Sequence, residues 1–400
     1  MKQLFFIIGL TASSSLFAQT PVKQLDSLLN VYYKANEPGA TVAIVQNGKL
    51  LYQKNIGLAD LSNSLPITAT TNFNIASITK QFTAAAILQL SEKNKLSLSD
   101  PVTKFFPQLN HVLTNRVSVW HLLTHSSGIQ DHYSFVDTRS MKHAGDHDVL
   151  KAVEKTTDLY FAPGSNYRYS NTAYCLLALI IEKASGMSYA KYIQKNIFAP
   201  LGMTYSTVLD TLQPAKAAAI GYQLDSSNHF IRSDAAENIF FSTQGDGGIY
   251  TSVPEYIKWF TALQKATILS AAYIKQARSI QQPIDNNNKL GYGFGWFIGA
   301  KEQPEMVYHT GSNGGFRSIV VTIPAVNYAL IIFSNRTGVD LEMLAKEINN
   351  ILRVTNKSLQ PLESLISFQD CWPIFAPCKK IPRFLTSFQR NSTASAMALN

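Results

Sequence analysis

A hydroxyl and an amine three residues apart, Ser77-Ile-Thr-Lys80, head a run that continues Gln-Phe-Thr-Ala-Ala-Ala-Ile-Leu-Gln-Leu90. From Ile78 to Leu90 only Thr79, Lys80, Gln81, Thr83 and Gln89 are polar, which predicts a helix buried on nearly every side. The spacing brings the lysine onto the serine's face. A serine hydroxyl attacks poorly until a base takes its proton, and a lysine among apolar neighbours gives up its charge more readily than one in water. The free N–H groups at the head of a helix favour a developing oxyanion beside the serine. Alone the motif is weak, because S-x-x-K is expected about once or twice in a chain this long. It recurs at Ser188-Tyr-Ala-Lys191, and an N-cap serine followed by a snorkelling lysine is spelled the same way.

Two further stretches carry usable chemistry. Tyr169-Ser-Asn171 is the one Tyr-x-Asn among eighteen tyrosines. A phenol can relay a proton, and an Asn amide both donates and accepts hydrogen bonds; a loop tyrosine packed on the core, with Asn near a helix N-cap, is the plainer alternative. His309-Thr-Gly311, followed by Ser312-Asn-Gly-Gly-Phe316, falls at a strand end, where an edge can pair with an extended substrate and Gly permits close approach. By itself His309 is more often a half-buried strand residue than a catalyst, and Arg336-Thr-Gly338 repeats the pattern at a turn.

The elements that must position these groups follow from periodicity. Val22, Leu25, Leu28, Leu29, Tyr32 and Tyr33 mark an amphipathic helix. Residues 40–45 and 49–56 around Asn47-Gly48 predict a hairpin. Helical segments are expected near 117–123, 172–184 and 189–198, the last capped by Ser188. Ser252-Val-Pro-Glu255 predicts a capping box opening a helix to about Gln264. Near Leu290 the period changes to strands at 292–298, 306–310, 316–323 and 328–334, and Leu341, Leu344, Ile348, Ile351 and Leu352 make a covering helix. Early and late hairpins most economically share one sheet. The fold class is therefore α+β: an antiparallel sheet flanked by helices, with an inserted mainly helical lobe. The expected partition is a signal peptide at 1–18, sheet domain at 19–92, helical lobe at 93–289, sheet domain again at 290–355, and a weakly ordered tail at 356–400.

A chain of 400 residues, 46% hydrophobic and 15% charged, is globular and long enough for one large or two intimate domains. Met1-Lys2, the apolar run Leu4–Leu10 and the small-residue stretch Ser13–Ala18 read as a signal cleaved before Gln19, which implies a periplasmic or secreted protein. The apolar run is shorter than the about 20 residues of a spanning helix, so no membrane span is expected after cleavage. Net charge of +9 favours anionic material such as cell wall or carboxylate substrates, whereas the scattered basic residues argue against nucleic acid. Cys175 reads as a small buried hydrophobe, and Cys371 with Cys378 brackets a short loop that could close in an oxidising compartment. No zinc pattern and no cofactor motif is present. His121 and His125 have the i, i+4 spacing of two metal ligands, but no H-E-x-x-H accompanies them. G-x-S-x-G is absent too.

Taken together and in this order, Ser77-Ile-Thr-Lys80, Tyr169-Ser-Asn171 and His309-Thr-Gly311 resemble the three motifs of the serine β-lactamase and penicillin-recognising enzyme superfamily, in the branch of class C β-lactamases, D,D-carboxypeptidases and related esterases. Residues 121–129, 163–174, 198–203 and 247–252 are also similar to that family, and the likeness runs from about Leu25 to Val354. The resemblance implies an acyl-enzyme on Ser77, proton transfer by Lys80 and Tyr169, and a substrate amide held by Asn171. It implies an oxyanion hole from the backbone N–H groups of Ser77 and Ser312, a wall of His309, Thr310 and Gly311, and no metal or cofactor. The expected partner is a small-molecule or peptide substrate, such as one derived from peptidoglycan.

One residue departs from the pattern. The best-known members carry Lys where this chain has His309, which weakens an expectation of efficient β-lactam hydrolysis and leaves ester, amide and D-amino-acid peptide substrates open. If His309 supplies positive charge, activity on anionic substrates should improve as pH falls toward about 6.5. A non-catalytic cell-wall binder or sensor is the reading from a different class. Choice of acyl donor would rest on the loops at 130–159 and 225–244.

Overall fold

The computed structural model describes residues 12–113, 116–134, 143–209, 215–234, 239–285, 290–299 and 305–355. By contacts the chain divides into Met1–Leu365 and Ile366–Asn400. The tail, and with it Cys371 and Cys378, lies outside the described residues.

In chain order, α1 (Ala12–Tyr32) precedes the hairpin β1 (Ala40–Gln46) and β2 (Lys49–Ile56), the short pair β3 (Leu58–Asp60) and β4 (Leu65–Pro66), and β5 (Phe73–Asn74). A 3-10 turn at Ala76–Ile78 leads into α2 (Thr79–Glu92). Helices α3 (Asn110–Leu113), α4 (Val119–Leu123), α5 (Asp146–Val153), α6 (Asn171–Ser185) and α7 (Tyr189–Ile193) follow, then β6 (Thr207–Val208), β7 (Tyr222–Leu224), β8 (Phe230–Arg232) and β9 (Ile249–Thr251). The chain returns through α8 (Val253–Lys265) and α9 (Ala271–Ala277) to β10 (Gln282–Pro283), β11 (Leu290–Tyr292), β12 (Phe297–Gly299), β13 (Met306–Asn313), β14 (Phe316–Ile323) and β15 (Tyr328–Ser334), and closes with α10 (Leu341–Thr355).

The main sheet has eight strands in the order β10-β11-β12-β13-β14-β15-β1-β2, every pair antiparallel. Early and late hairpins do share it, with Ala40 opposite Ser334 and Gln46 opposite Tyr328. Asn47 and Gly48 turn the first hairpin at φ 51° and 73°, the left-handed pair a tight two-residue turn requires. Every residue of β15 is buried, so both faces of the sheet are covered. Ala329, Ile331 and Phe333, with Ala43, Val45, Val307 and Val320, belong to the main core shared with α2, α6 and α8. Alternation turns Leu330, Ile332, Val42 and Ile44 to the opposite face. There α10 lies on β14 and α1 on α10, burying Leu25, Leu29, Leu344 and Ile348.

At the centre α2 is buried from Thr79 to Leu90. Two of its polar residues are satisfied by backbone carbonyls distant in sequence: Thr83 Oγ1 donates to Gly245 O at 2.6 Å, and Gln89 Nε2 to Ile268 O at 3.1 Å. The recurrence Ser188-Tyr-Ala-Lys191 is an N-cap, where Ser188 Oγ accepts from Lys191 N at 3.4 Å.

Several expectations needed correction. The strand placed at 292–298 is a hairpin: Gly293 N donates to Trp296 O at 2.8 Å, Gly295 takes φ +82°, and a Cβ on Gly293 would stand 2.1 Å from Ala277 O. The second part of the sheet starts with β10, ahead of the boundary at 290. Although α8 fell within the helical segment, it packs on the sheet, with Tyr256 meeting Phe333 edge-on at 5.6 Å. No capping box forms at Ser252, because Glu255 instead accepts from Tyr205 N at 3.1 Å and from the Ser206 hydroxyl. The helix expected over 189–198 ends in a π-helical turn at Gln194–Phe198 just ahead of Pro200. Among the described residues no helix is long and apolar enough to cross a membrane.

Candidate active site

Ser77 is delivered by a sharp turn out of β5. Asn74 Oδ1 accepts from Ala76 N at 3.0 Å, and its Nδ2 donates to Gly247 O at 3.0 Å. Ile75 N donates to Ile249 O at 3.0 Å, and Ser318 Oγ donates to Ile75 O at 2.8 Å. These bonds hold Ala76 at φ 49°, a left-handed backbone that costs a non-glycine residue about 1–2 kcal/mol. The turn also explains Gly311: a Cβ there would lie 2.5 Å from Ile75 O and 3.0 Å from the Ala76 methyl. Strand β13 therefore lies directly against the serine turn.

One helical turn further on, the Lys80 amine is fully enclosed and donates to Ser77 Oγ at 3.1 Å, Asn171 Oδ1 at 2.8 Å and Asp246 O at 2.9 Å. Burial pushes its pKa down to about 8, opposed by the negative charge of Asp246 and, less strongly, by Cys175 and Asp131. The three partners suit either protonation state. An ammonium donates to all three; a neutral amine keeps two N–H bonds, to Asn171 and the Asp246 carbonyl, and turns its lone pair to the serine hydroxyl. The second arrangement is that of a general base.

Tyr169 and Asn171 arrive from the helical segment. Ser170 caps α6, accepting from Ala173 N at 3.2 Å, and Asp131 Oδ2 accepts from Asn171 N at 3.1 Å, which fixes the entry of the helix. The Tyr169 ring lies with its centroid 4.8 Å from Lys80 Nζ and 4.3 Å from the ring of His125. His125 sits at φ 57° and accepts from Ser170 N through Nδ1 at 3.1 Å. His121 instead caps α4, its Nδ1 3.1 Å from Ser118 N. The two histidines of the metal-ligand spacing thus serve different local structures.

From the sheet come His309, Thr310, Gly311 and Ser312. Pairing of β12 with β13 stops at Tyr308, whereas β13 stays paired with β14 out to Asn313. The second edge of His309–Ser312 is therefore without a ladder partner among the described residues. The His309 imidazole is buried, its Nδ1 2.6 Å from Thr310 O and its Nε2 3.0 Å from the Tyr292 hydroxyl. A carbonyl only accepts, so Nδ1 carries the hydrogen and the neutral ring accepts from Tyr292 through Nε2. Burial, then the nearby Lys80 charge, pushes the His309 pKa down to about 3. Of the two states left open for His309, charged or neutral, this environment favours the neutral ring at neutral pH.

Beside Lys80 lies a group the sequence reading missed. Asp146, Cys175 and Asp246 are buried with their carboxylate and thiol atoms within 4.8 Å of one another. Asp146 accepts from Gln244 N at 3.1 Å and Gly245 N at 3.2 Å, yet burial, then the charge of Asp246, raises its pKa to about 8. Asp131 and Tyr292 were missed as well, and the sequence reading considers His125 only for its metal-ligand spacing with His121. Asp131 and His125 stand close to Ser127-Gly128, and Asp246 directly precedes Gly247-Gly248, so a glycine-marked turn beside a lone polar residue was the available signal.

A central helix presenting a buried serine and lysine, a tyrosine and asparagine from a helical lobe, and an open β-edge define the penicillin-recognising class of serine-centred folds. The chain belongs to the Beta-lactamase family, whose model matches residues 23–353. It is similar to penicillin-binding protein 4* of Bacillus subtilis (strain 168), 31% identical over 331 residues, covering 80% of this chain and 72% of that protein. It is also similar to protein flp of Staphylococcus aureus (strain COL), 29% identical over 350 residues, 86% of this chain and 69% of that one. Among solved structures, the octameric penicillin-binding protein homologue from Pyrococcus abyssi superposes with TM-score 0.72 at 30% identity, covering 83% of this chain and 77% of that one. The D-amino acid amidase from Ochrobactrum anthropi SV3 shares the fold, with TM-score 0.70 at 24% identity over 86% of this chain and 99% of that one.

Proposed function

We propose that this protein is an exported serine hydrolase that works through an acyl-enzyme on Ser77 and cleaves an amide or ester bond. The observation that carries the reading is the Lys80 amine, enclosed and 3.1 Å from Ser77 Oγ, with its other two bonds committed to acceptors. Lys80 takes the serine proton as Oγ attacks the substrate carbonyl. The oxyanion is received by the backbone N–H groups of Ser77 and Ser312. As the tetrahedral species collapses, the proton passes through Lys80 and the Tyr169 phenol to the leaving amine or alkoxide. Water then attacks the ester carbonyl, its proton returning by the same path, and Ser77 is released. Asn171 holds the substrate amide, and His309, Thr310 and Gly311 form the wall along which the substrate backbone lies.

The neutral, doubly bonded His309 favours uncharged recognition at that wall, and so favours esters and amides, including D-amino-acid peptides, over substrates that depend on an anchored carboxylate. Export rests on the basic, apolar and small-residue order of the first eighteen residues. The deciding experiment is intact-mass measurement of wild type and Ser77→Ala with nitrocefin, a D-Ala-D-Ala peptide and a p-nitrophenyl ester. A Ser77-dependent adduct with product release on the ester or peptide is expected. An adduct that never turns over would instead mark a penicillin binder, and no adduct with any of the three would overturn the reading.

A further inference from the structure

On the side of α2 reached by Gln81 rather than Lys80, a cavity of about 10 Å³ is walled by Trp259, Leu263, Phe294 and Trp296, room for about one water-sized occupant. Its two polar side chains are Gln81 and Arg278. Arg278, at the end of α9, is buried apart from 8% of its surface, and its Nε and Nη2 have no hydrogen-bond partner among the described residues. Its guanidinium lies 5.1 Å from the centre of the Trp296 ring, which attracts the charge without neutralising it.

Gln81 is oriented unambiguously. The Tyr256 hydroxyl at 2.6 Å and the Trp259 indole N–H at 3.4 Å both meet Oε1. An indole N–H only donates, so Oε1 is the acceptor. The amide nitrogen is left as a third buried donor without a partner. Tyr256 is the one group acting on Arg278 with a compensating sign, and burial pushes that phenol far above its ordinary range, so it is neutral.

A desolvated guanidinium with no carboxylate beside it among the described residues, and several orphaned N–H groups around one small void, has the chemistry of an anion receptor. Water accepts two of the donors at most and brings no charge. A halide accepts every donor, neutralises the guanidinium and tolerates apolar walls.

We propose that Arg278 and Gln81 bind a single small monovalent anion of halide size between α2, α8 and α9. The site is reached from α2 by Gln81, whereas Ser77 sits in the turn that precedes that helix, and it is independent of the hydrolytic reading. It is tested on the full chain with sodium bromide and sodium chloride against sodium gluconate at equal ionic strength. Crystals soaked in bromide should show an anomalous peak between Arg278 and Gln81. Chloride should raise the melting temperature by a few degrees over gluconate, and Arg278→Met should remove that difference. Equal melting temperatures of wild type in the two salts, or bromide-soaked crystals without signal at the cavity, overturns the proposal. Both of those readouts use wild type, so they decide the matter even if the substituted chain fails to fold.

Discussion

Lys80 provides the sharpest test of the proposed chemistry, because its protonation state sets how much enzyme is ready to react. With a pKa of about 8, the amine is neutral in about 9% of molecules at pH 7, about half at pH 8 and about 90% at pH 9. The acylation rate constant at limiting ester should therefore rise about fivefold from pH 7 to 8 and less than twofold from 8 to 9. Quenched-flow mixing with a p-nitrophenyl ester, read by intact mass of the Ser77 adduct, follows this step alone. The charged or titratable groups acting on Lys80 are Asp246, Cys175 and Asp131, all raising its pKa, while His125 and His309 face it from the loop after α4 and from β13. Asp246 is the strongest opponent of desolvation, so Asp246→Asn should move the acid limb below pH 8 while its backbone carbonyl still accepts from Lys80. Stability must respond in step. The unfolded lysine titrates near 10.5 and the folded one near 8, so between these values the unfolded chain holds the extra proton and stability increases with pH. The increase totals about 3 kcal/mol, and Lys80→Met should abolish it. A flat acylation rate from pH 7 to 9, or a limb near 6.5 that vanishes in His309→Gln, would refute Lys80 as the base.

Three other substitutions follow from the same contacts. Gly311→Ala puts a methyl 2.3 Å from Ser318 Oγ and 2.5 Å from Ile75 O; it should cost about 1–3 kcal/mol in thermal unfolding and slow acylation up to about 100-fold by pushing β13 off the serine turn. His309 titrates near 6.5 unfolded and near 3 folded. As pH falls between those values the unfolded imidazole takes a proton the folded one refuses, so stability declines, by about 3–5 kcal/mol for this group, and His309→Gln should show a correspondingly flatter acid profile in urea unfolding. Phe82 stacks on Trp259 at 4.1 Å and meets Phe198 edge-on at 5.9 Å; Phe82→Ala should lose about 3–5 kcal/mol by urea titration, with acylation retained in the folded fraction.

Much of this fold was legible because its signals are local. Asn47-Gly48 dictates a hairpin whatever surrounds it, the period of residues 328–334 survives in β15, and the nearly uninterrupted apolar surface of residues 78–90 foretold α2. Failures came where distant partners decide. Glu255 had the spacing of a capping box, but Tyr205 and Ser206, about fifty residues earlier, claim its carboxylate. Residues 292–298 had the composition of a strand, but the backbones of Ala277 and Lys80 leave no room for a Cβ at Gly293 or Gly295, and the chain folds back there.

The same divide runs through the site. Ser77, Lys80, Tyr169, Asn171 and His309 could be named from short motifs, since each motif records which residue types must meet. What the motifs do not record is charge. His309 was open to either protonation state until its two nitrogens were found committed to Thr310 O and Tyr292. A neutral ring there leaves Lys80 the principal cation beside Ser77, and Asp246 the carboxylate that opposes its desolvation most. Asp146 bears on that balance by being raised to about 8 itself. Lys80 and Asp146 are both shifted to about 8 and both feel the charge of Asp246, so any link between their protons runs through that shared carboxylate. Asp146→Asn should therefore alter the steepness of the limb as well as its midpoint, and a limb unchanged in both would confine proton bookkeeping to Lys80 alone.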